Sequence, residues 1–420
     1  PGVPTIAATP IALEAGPAAT ITLQNVPTGA RAGVVVAPGI VARVADQFNN
    51  PLTRPTPVTA TVATGAGNPS YAIAAAGATG VAALEMKFNA TNEALNLTKI
   101  GFQLSNTASS SAGDLVKATI WDGAIEVGQA FFVGSNTTAT STLSQVVSVP
   151  KDGDKNLTVK LDFAAVGIGQ SVTFSGHLVA VNYLNAEGTG FDSGTTQQLG
   201  TAAGSTASAG VRVMKSYAVV ASDSLSSTGV GDGRLGRFKV TANSAGPISI
   251  TNFAINVATS SLATGGTVNN VTIYGFTDSG YSVPISGITA SGDLQNVTDT
   301  ITTTAPNVAI GITDGSNTAI AIQVPAGQTR YFEIRATVTG SQSGSSITTK
   351  LLGNSSFPST GATVSQNPLL QAGSGTFTAT TDMVWSPNST TTPVRGDQDW
   401  TNGFGITGLP SGGLIFSRSN

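Results

Sequence analysis

A long-range internal repeat constrains the fold of this chain more than any other sequence feature. Three segments of one copy recur in a second copy: 86–102 as 238–255, 115–121 as 268–274, and 149–161 as 324–336. The recurring feature is the alternation of apolar and polar residues that half-buried strands show, and no set of reactive side chains recurs with it. A scaffold that repeats without a repeated site is typical of a structural building unit.

Composition favours an all-β fold. The chain has 420 residues, 40% of them hydrophobic, with 50 glycines, no cysteine, one histidine and only 10% charged residues. The apolar share is enough for packed cores, and frequent Thr and Val between Gly-rich turns favour strands over helices. We therefore predict tandem immunoglobulin-like β-sandwich domains, since alternating strands must bury one face against a second sheet.

The alternation slips by one residue at the same place in both copies. In the first copy Leu95 and Leu97 share the inward face, and the inward phase resumes at Ile100 and Phe102. The same slip recurs at 252–253 in the second copy. Because a one-residue slip moves side chains to the other face of a sheet, the pattern predicts a β-bulge shared by both copies.

Four units follow from the repeat and from the composition of the linkers. We predict a β-sandwich unit at 1–68, repeat sandwiches at 69–210 and 211–375, and a C-terminal tail with tryptophan motifs at 376–420. The first unit has a strand that ends in Asp-Gln-Phe-Asn-Asn-Pro-Leu at 46–52, and an alternating strand follows it. That hairpin resembles the bacterial immunoglobulin-like domains of invasin-type adhesins.

The C-terminal tail carries a more specific resemblance. Residues 382–389 read Asp-Met-Val-Trp-Ser-Pro-Asn-Ser, residues 399–403 read Asp-Trp-Thr-Asn-Gly, and Leu-Pro follows at 409–410. These motifs, with the repeat at 324–336, resemble the S-layer-like, cell-surface β-sandwich proteins of candidate-phylum (Patescibacteria) bacteria. Met383 and Pro387 depart from the usual pattern. The resemblance implies a secreted surface protein with no enzymatic role.

One turn has the opening of a calcium-binding loop. Asp152, Asp154 and Asn156 follow the Asp-x-Asp-x-Asn pattern, but Leu157 stands where such a loop needs glycine, and no glutamate follows at its twelfth position. Two interpretations stay open, a plain hairpin turn and a weak cation site. Because the chain has no cysteine and one histidine, zinc is excluded, and we expect no cofactor other than calcium.

The aromatic residues of the tail are the candidates for an interaction surface. Trp385 and Trp400 lie in the two tail motifs, and we predict that they take part in assembly or stack on a sugar ring. Trp121 aligns with Tyr274 in the repeat, so we assign it to a core or sheet edge.

The sequence offers little for catalysis. Its single histidine, His177, shares a strand face with Ser175, but the Gly-x-Ser-x-Gly elbow of serine hydrolases is missing. We therefore predict that the chain is not an enzyme. A net charge of −3 excludes a basic nucleic-acid surface, and the apolar runs are too short to span a bilayer. The chain begins at Pro1, from which we expect a removed leader or a larger precursor.

Two functions remain. The first is a structural protein of the cell envelope and extracellular surface that assembles with its own copies into an S-layer lattice or a filament. Low charge density limits repulsion between subunits, and unpaired edge strands offer a template for strand addition. The second is an adhesin whose sandwiches present a host- or glycan-binding tip, formed by the tail or by the insertion at 285–311.

Overall fold

A computed structural model describes residues 18–24, 41–46, 59–104, 112–165, 176–199, 207–226, 229–295, 306–354, 356, 380–388 and 400–420. Within those ranges the only helical element is a single 3₁₀ turn at Ala112–Asp114, and no described helix is long and apolar enough to cross a membrane. The predicted all-β class is therefore confirmed.

The strands of the first half are β1 (Ala18–Gln24), β2 (Val41–Asp46), β3 (Thr59–Thr64), β4 (Ala72–Ala75), β5 (Val81–Thr91), β6 (Leu95–Leu104), β7 (Leu115–Asp122), β8 (Ile125–Ala130), β9 (Thr138–Val149), β10 (Gly153–Phe163), β11 (His177–Val179), β12 (Val181–Gly190), β13 (Thr196–Leu199) and β14 (Val211–Met214).

The strands of the second half are β15 (Ala218–Asp223), β16 (Arg234–Ala242), β17 (Ile248–Ser260), β18 (Val268–Phe276), β19 (Asn307–Gly311), β20 (Ile322–Val324), β21 (Thr329–Val338), β22 (Ser346–Leu351), β23 (Val384–Ser386), β24 (Thr401–Asn402) and β25 (Leu414–Ser419).

The first repeat folds into a sandwich of two antiparallel sheets. One sheet has the order β3-β5-β10-β7-β8 and the other β13-β12-β6-β9. Alternate residues of both sheets meet in one core, which includes Met86, Phe88, Phe102 and Leu157, each at most 2% exposed. A small third sheet, β11-β14-β4, lies beside this sandwich.

Of the predicted unit 1–68, the structure describes residues 18–24, 41–46 and 59–68. The first two ranges are β1 and β2, which pair with each other.

The second repeat builds its own sandwich on the same plan. One sheet has the order β15-β16-β21-β18, which matches β3-β5-β10-β7 of the first repeat. The register matches too, because Met86 pairs with Leu157 in the first repeat and Phe238 pairs with Phe332 at the equivalent position. The rings of Phe238 and Phe332 stack at 5.1 Å in the centre of the second core. The repeat seen in the sequence is therefore a repeat of strand pairing.

The predicted bulge is confirmed in both copies. The pairing of β6 with β12 skips one residue between Leu97 and Lys99, and that of β17 with β23 skips one between Ile250 and Asn252. The extra residues are Thr98 and Thr251, whose hydroxyls donate to backbone carbonyls 3.0 and 3.1 Å away. Where the bulge interrupts the backbone hydrogen bonds between the strands, a threonine hydroxyl thus donates a hydrogen bond to a backbone carbonyl instead.

The C-terminal segment, predicted as a separate tail, belongs to the second sandwich. Strands β23, β24 and β25 join the sheet ordered β24-β23-β17-β22-β25, in which β19 and β20 also pair with β17. The order β24-β23-β17 matches β13-β12-β6 of the first repeat, but the segments that form β23 and β24 lie outside the repeated sequence pattern, which therefore did not reveal this pairing.

The two sandwiches meet at a packed joint. The ring of Tyr71 lies 4.9 Å from that of Phe404, and Ile73 packs against the core of the second sandwich. The Tyr71 hydroxyl accepts a hydrogen bond of 2.9 Å from Nε of Arg212, which is 4% exposed and also donates to the carbonyl of Gly176. Burial lowers the pKa of Arg212, and the neighbouring tyrosine oxygen opposes that effect. Apolar contacts therefore join the two units, and the hydrogen bond with Arg212 holds Tyr71 in place at the joint.

Candidate functional site

The two tail tryptophans lie in the protein interior, which corrects the prediction that their rings meet a sugar or another chain. Trp385 is 0% exposed and Trp400 is 1% exposed. Strand β23 pairs with β17, so Trp385 extends into the second core, and its Nε1 donates to the carbonyl of Asn402 at 2.7 Å. Trp400 packs with Val384 in a smaller cluster. The indoles hold the C-terminal segment to the sandwich and have no free face for a ligand.

The polar residues of the same motif have a structural role as well. Asn388 is 2% exposed, and its side chain accepts from the Ser249 hydroxyl at 2.6 Å and donates to Gln323 at 3.0 Å. Its carbonyl accepts from Nζ of Lys215 at 2.8 Å. Asn252 donates to the carbonyl of Asp382 at 2.7 Å. These bonds satisfy the polar groups that the segment buries on β17.

Of the calcium candidates, Asp152 lies in the turn between β9 and β10, and Asp154 and Asn156 lie among the first residues of β10. Asp152, Asp154 and Asn156 are all exposed. Asp154 already accepts from Asn89 at 2.9 Å and pairs with Nζ of Lys87 at 3.2 Å, and these two hydrogen bonds lower its pKa. Within the described ranges no group of three or more His, Cys, Asp or Glu side chains could hold a metal ion. A calcium site here therefore stays a prediction.

The single histidine has a carboxylate neighbour. Nδ1 of His177 lies 3.1 Å from a carboxylate oxygen of Asp114, which is 1% exposed. The contact ties β11 to the short 3₁₀ turn. Ser175, the nucleophile that the sequence placed on the same face, lies outside the described residues. The structure thus shows an Asp–His pair between two structural elements.

A buried carboxylate organises the solvent-side face of the second sandwich, and the sequence did not reveal it. Glu333 on β21 is 0% exposed and accepts from three guanidinium groups, at 2.6 Å from Arg234, 2.6 Å from Arg237 and 2.5 Å from Arg335. Burial opposes its ionisation, but the three hydrogen bonds outweigh burial and lower the pKa of Glu333 to about 2. We name this group the arginine cluster.

Two tyrosines complete this layer. The guanidinium carbon of Arg237 lies 3.7 Å from the ring centroid of Tyr281, and that of Arg335 lies 4.0 Å from the centroid of Tyr274. The Tyr281 hydroxyl donates to Asp223 at 3.0 Å, and burial raises its pKa. Only the alternation along β21, which puts Glu333 and Arg335 on one face, could have indicated this arrangement from the sequence.

The last strand leaves one side of its sheet open in the described part of the chain. Strand β25 lies at the end of its sheet and pairs only with β22. The amide of Asn420 donates to the carbonyl of Ser345 at 3.0 Å. This bond shows that the backbone groups of Asn420, and of every second residue before it, point towards β22. Successive residues of a strand direct their backbone N–H and C=O groups alternately to its two sides, so those of Ile415, Ser417 and Ser419 point away from β22. We name this side the open edge.

The side chains at the open edge are also accessible. Ile415 is 56% exposed, and Ser417 and Ser419 are exposed. The inward residue between them, Phe416, packs in the second core. An edge strand with unpaired amides, an exposed isoleucine and no proline is a ready template for another strand.

No protein-family model matches the chain, and no curated protein matches it either. Solved structures give remote likenesses. The C-terminal domain of the AgI/II polypeptide BspA of Streptococcus agalactiae is 10% identical, covering 70% of this chain and 95% of that one, at a TM-score of 0.20. The S. aureus collagen adhesin is 13% identical, covering 71% and 87%, at 0.14. The Bacillus cereus major pilin subunit BcpA is 9% identical, covering 78% and 72%, at 0.18. Such TM-scores show no common overall superposition, and no function is transferred from these proteins.

Proposed function

We propose that this chain is a non-enzymatic structural protein of the bacterial cell surface that assembles with copies of itself into an S-layer lattice or an extracellular filament. The observation that carries the proposal is the open edge. Its outward amides and carbonyls, together with the exposed Ile415, can accept a strand from another copy through main-chain hydrogen bonds.

The packed joint supports the same function. Because Tyr71 and Ile73 contact the second sandwich directly, the two sandwiches present their edges in a fixed relation to each other. Regular assemblies need such a fixed relation, since a flexible joint would spread the angles between successive subunits. The net charge of −3 on 420 residues also limits repulsion between copies.

Negative-stain electron microscopy of the purified chain tests the proposal, with sedimentation to measure the assembled fraction. We expect sheets, tubes or fibres that grow with protein concentration. Dispersed monomers at every concentration and salt condition would contradict self-assembly. Comparing samples with calcium and with EDTA shows in the same experiment whether assembly depends on calcium, because only a calcium-dependent assembly would dissolve in EDTA.

A second candidate function is that of an adhesin. A polar cleft beside the arginine cluster favours it, because the cleft is partly built by the insertion that follows β18. Under this alternative the sandwiches are spacers, and a monomer binds a host surface or glycan without assembling. Binding by a chain that sediments as a monomer would favour it over the first candidate.

A further inference from the structure

The second sandwich has a polar cleft on the face formed by β18 and β21. The cleft has a volume of about 260 Å³ and lies against β18 and β21. Its lining residues are Asp232, Gly233, Asn270, Thr272, Tyr274, Asp293, Arg335, Ala336 and Thr337. That volume is just below the range of about 300–1,000 Å³ typical of sites for drug-sized ligands, and so suits a group the size of one sugar residue.

The repeat shows which residues differ between the two copies at the cleft. In the first sandwich the equivalent stack is Lys160 over Trp121, at 3.9 Å from the ring centroid. Next to that stack, Lys117 and Asp162 face each other at 3.9 Å as an ion pair. The second sandwich has Asn270 and Thr337 at those two positions, joined by a neutral hydrogen bond of 3.2 Å. At these two positions the second repeat therefore has two uncharged side chains where the first repeat has a lysine and an aspartate.

The insertion after β18 then adds a carboxylate. Thr272, the equivalent of Thr119, donates its hydroxyl to Asp293, and the amide of Gln295 donates to the same carboxylate oxygen of Asp293 at 3.1 Å. In the first sandwich Thr119 instead donates to the carbonyl of Lys160 at 3.2 Å. Asp293 is thus held in a fixed position beside Tyr274, at a place where the first repeat has no acidic residue.

Several polar groups in the cleft are available to a ligand. Nη1 and Nη2 of Arg335, the Tyr274 hydroxyl and the second carboxylate oxygen of Asp293 have no hydrogen-bond partner among the described residues. Arg335 is held in place because its Nε donates to Glu333 while its guanidinium carbon lies 4.0 Å from the centroid of the Tyr274 ring. The free groups are donors and acceptors side by side, which suits a ligand whose hydroxyl groups both donate and accept.

The charge balance points to a neutral ligand. The groups that line the cleft or contact Glu333 comprise three guanidiniums, of Arg234, Arg237 and Arg335, against three carboxylates, of Glu333, Asp232 and Asp293. An anion would meet two of these carboxylates at the cleft wall, and a cation would meet Arg335. A neutral polyol meets neither repulsion and can satisfy both kinds of charged group with charge-assisted hydrogen bonds.

We propose that this cleft binds a neutral sugar residue, with Arg335 and Asp293 holding vicinal hydroxyls and Tyr274 and Asn270 contacting the ring substituents. The inference deepens the adhesin alternative by naming its binding site. It is independent of the open edge, which lies on a different sheet of the sandwich. A chain that fails to assemble could therefore still bind sugar, and one that assembles could fail to bind it.

Saturation-transfer NMR with the methyl glycosides of glucose, galactose, mannose, N-acetylglucosamine and N-acetylgalactosamine tests the proposal, each at up to about 10 mM, within the range of weak single-site binding. We expect at least one of these neutral glycosides to bind the full chain. Asp293→Asn keeps the oxygen that Thr272 contacts but turns the free acceptor into a donor, and Tyr274→Phe removes only the hydroxyl. Each should weaken binding by roughly ten-fold.

Matched controls separate the cleft from general effects. Tyr331→Phe removes a hydroxyl outside the cleft on β21, the strand that carries Arg335, and Asp314→Asn alters a turn carboxylate outside the cleft that accepts backbone amides. Both should leave binding unchanged. The double variant Asn270→Lys with Thr337→Asp introduces the two side chains that form the ion pair of the first repeat and should abolish binding. Because Asn270 has a φ of +53°, where lysine is less favourable than asparagine, we expect the melting temperature to fall by a few degrees.

Three results would overturn the proposal. One is that none of the five glycosides binds at the highest concentration. Another is that the bound glycoside is unaffected by Asp293→Asn and by the double variant. The third is that only sialylated or sulfated oligosaccharides bind, since that would show an anion site.

Discussion

The guanidinium carbon of Arg335 lies 4.0 Å from the ring centroid of Tyr274, and in the other repeat Nζ of Lys160 lies 3.9 Å from the ring centroid of Trp121. The two pairs occupy equivalent positions of equivalent strands, so the stack belongs to the common scaffold. Their surroundings differ. In the second repeat the cation is also bound to Glu333, whereas the first repeat has Thr158 at that position. One scaffold has thus acquired a buried carboxylate in one of its copies.

The open edge predicts a variant that blocks assembly without damage to the fold. Ser417→Pro removes an amide that points away from β22, so the native ladder keeps its hydrogen bonds. We expect the sedimentable fraction to fall at least ten-fold, while the melting temperature changes by only a few degrees. Ser417→Ala, which keeps the amide, should assemble normally. Unchanged assembly of Ser417→Pro would show that contacts between copies form elsewhere.

The arginine cluster predicts an acid-sensitive second sandwich. The pKa of Glu333 is about 2 in the folded chain and 4.5 ordinarily, so folding favours its ionised form. Its contribution to stability is complete above pH 4.5 and is lost as the pH falls towards 2. At about 1.4 kcal/mol per pH unit of that difference, the contribution is on the order of 3 kcal/mol. Urea unfolding between pH 5 and pH 2 measures it.

Glu333→Gln tests the same cluster at neutral pH. The amide leaves three guanidinium groups without their counter-charge, and we expect a loss of about 3 kcal/mol with a flatter dependence of stability on pH between 5 and 2. Asp154→Asn is the control, because Asp154 forms an exposed pair with Lys87 and its removal should change little. A stable Glu333→Gln chain with an unaltered acid response would contradict the role assigned to the cluster.

Docking of the C-terminal segment depends on Gly408. Its φ is +82°, and a Cβ at this position would overlap the carbonyl oxygen of Val220 on β15. Gly408→Ala should therefore lower the free energy of unfolding by about 2–4 kcal/mol, since both backbone strain and steric overlap oppose the native contact. Gly412 lies in open space nearby, and Gly412→Ala should have no measurable effect. Chemical denaturation of both variants gives the comparison.

The sequence was sufficient to predict the features that depend on the alternation of apolar and polar residues along one strand. It predicted the all-β class, and the slip after Leu97 located a bulge that the structure places at Thr98 and Thr251. These features are local, because two neighbouring side chains must face opposite sides of a sheet.

Contacts between distant segments were beyond the sequence. Trp385 looked available for a ligand because its motif has no equivalent in the first repeat, but pairing with Ile250 on β17 buries it. Glu333 accepts hydrogen bonds from Arg234 and Arg237 of β16, and the alternation along β21 alone does not indicate these partners. Neither burial nor charge pairing can be deduced without knowing which strands are neighbours.

The turn at Asp152 gives a prediction about calcium. The carboxylate of Asp154 already contacts Lys87 and Asn89, so a calcium ion would have to displace the Lys87 ammonium group to bind there. We expect the melting temperature to be the same in calcium and in EDTA. Lys87→Met removes the competing ammonium group, so the same comparison of melting temperatures on this variant shows whether Lys87 is what prevents calcium binding. A rise in melting temperature with calcium in the unmodified chain would establish the cation site instead.

The joint between the sandwiches gives a prediction about cooperativity. Tyr71 contacts Phe404 through its ring and Arg212 through its hydroxyl. Tyr71→Ala removes both contacts and should uncouple the two cores, so that calorimetry shows two unfolding transitions where the unmodified chain shows one. Tyr71→Phe keeps the ring and should retain a single transition at a slightly lower temperature. If both variants unfold in one step, other contacts such as that of Ile73 with the second core hold the joint. In that case the fixed geometry that assembly requires does not depend on Tyr71.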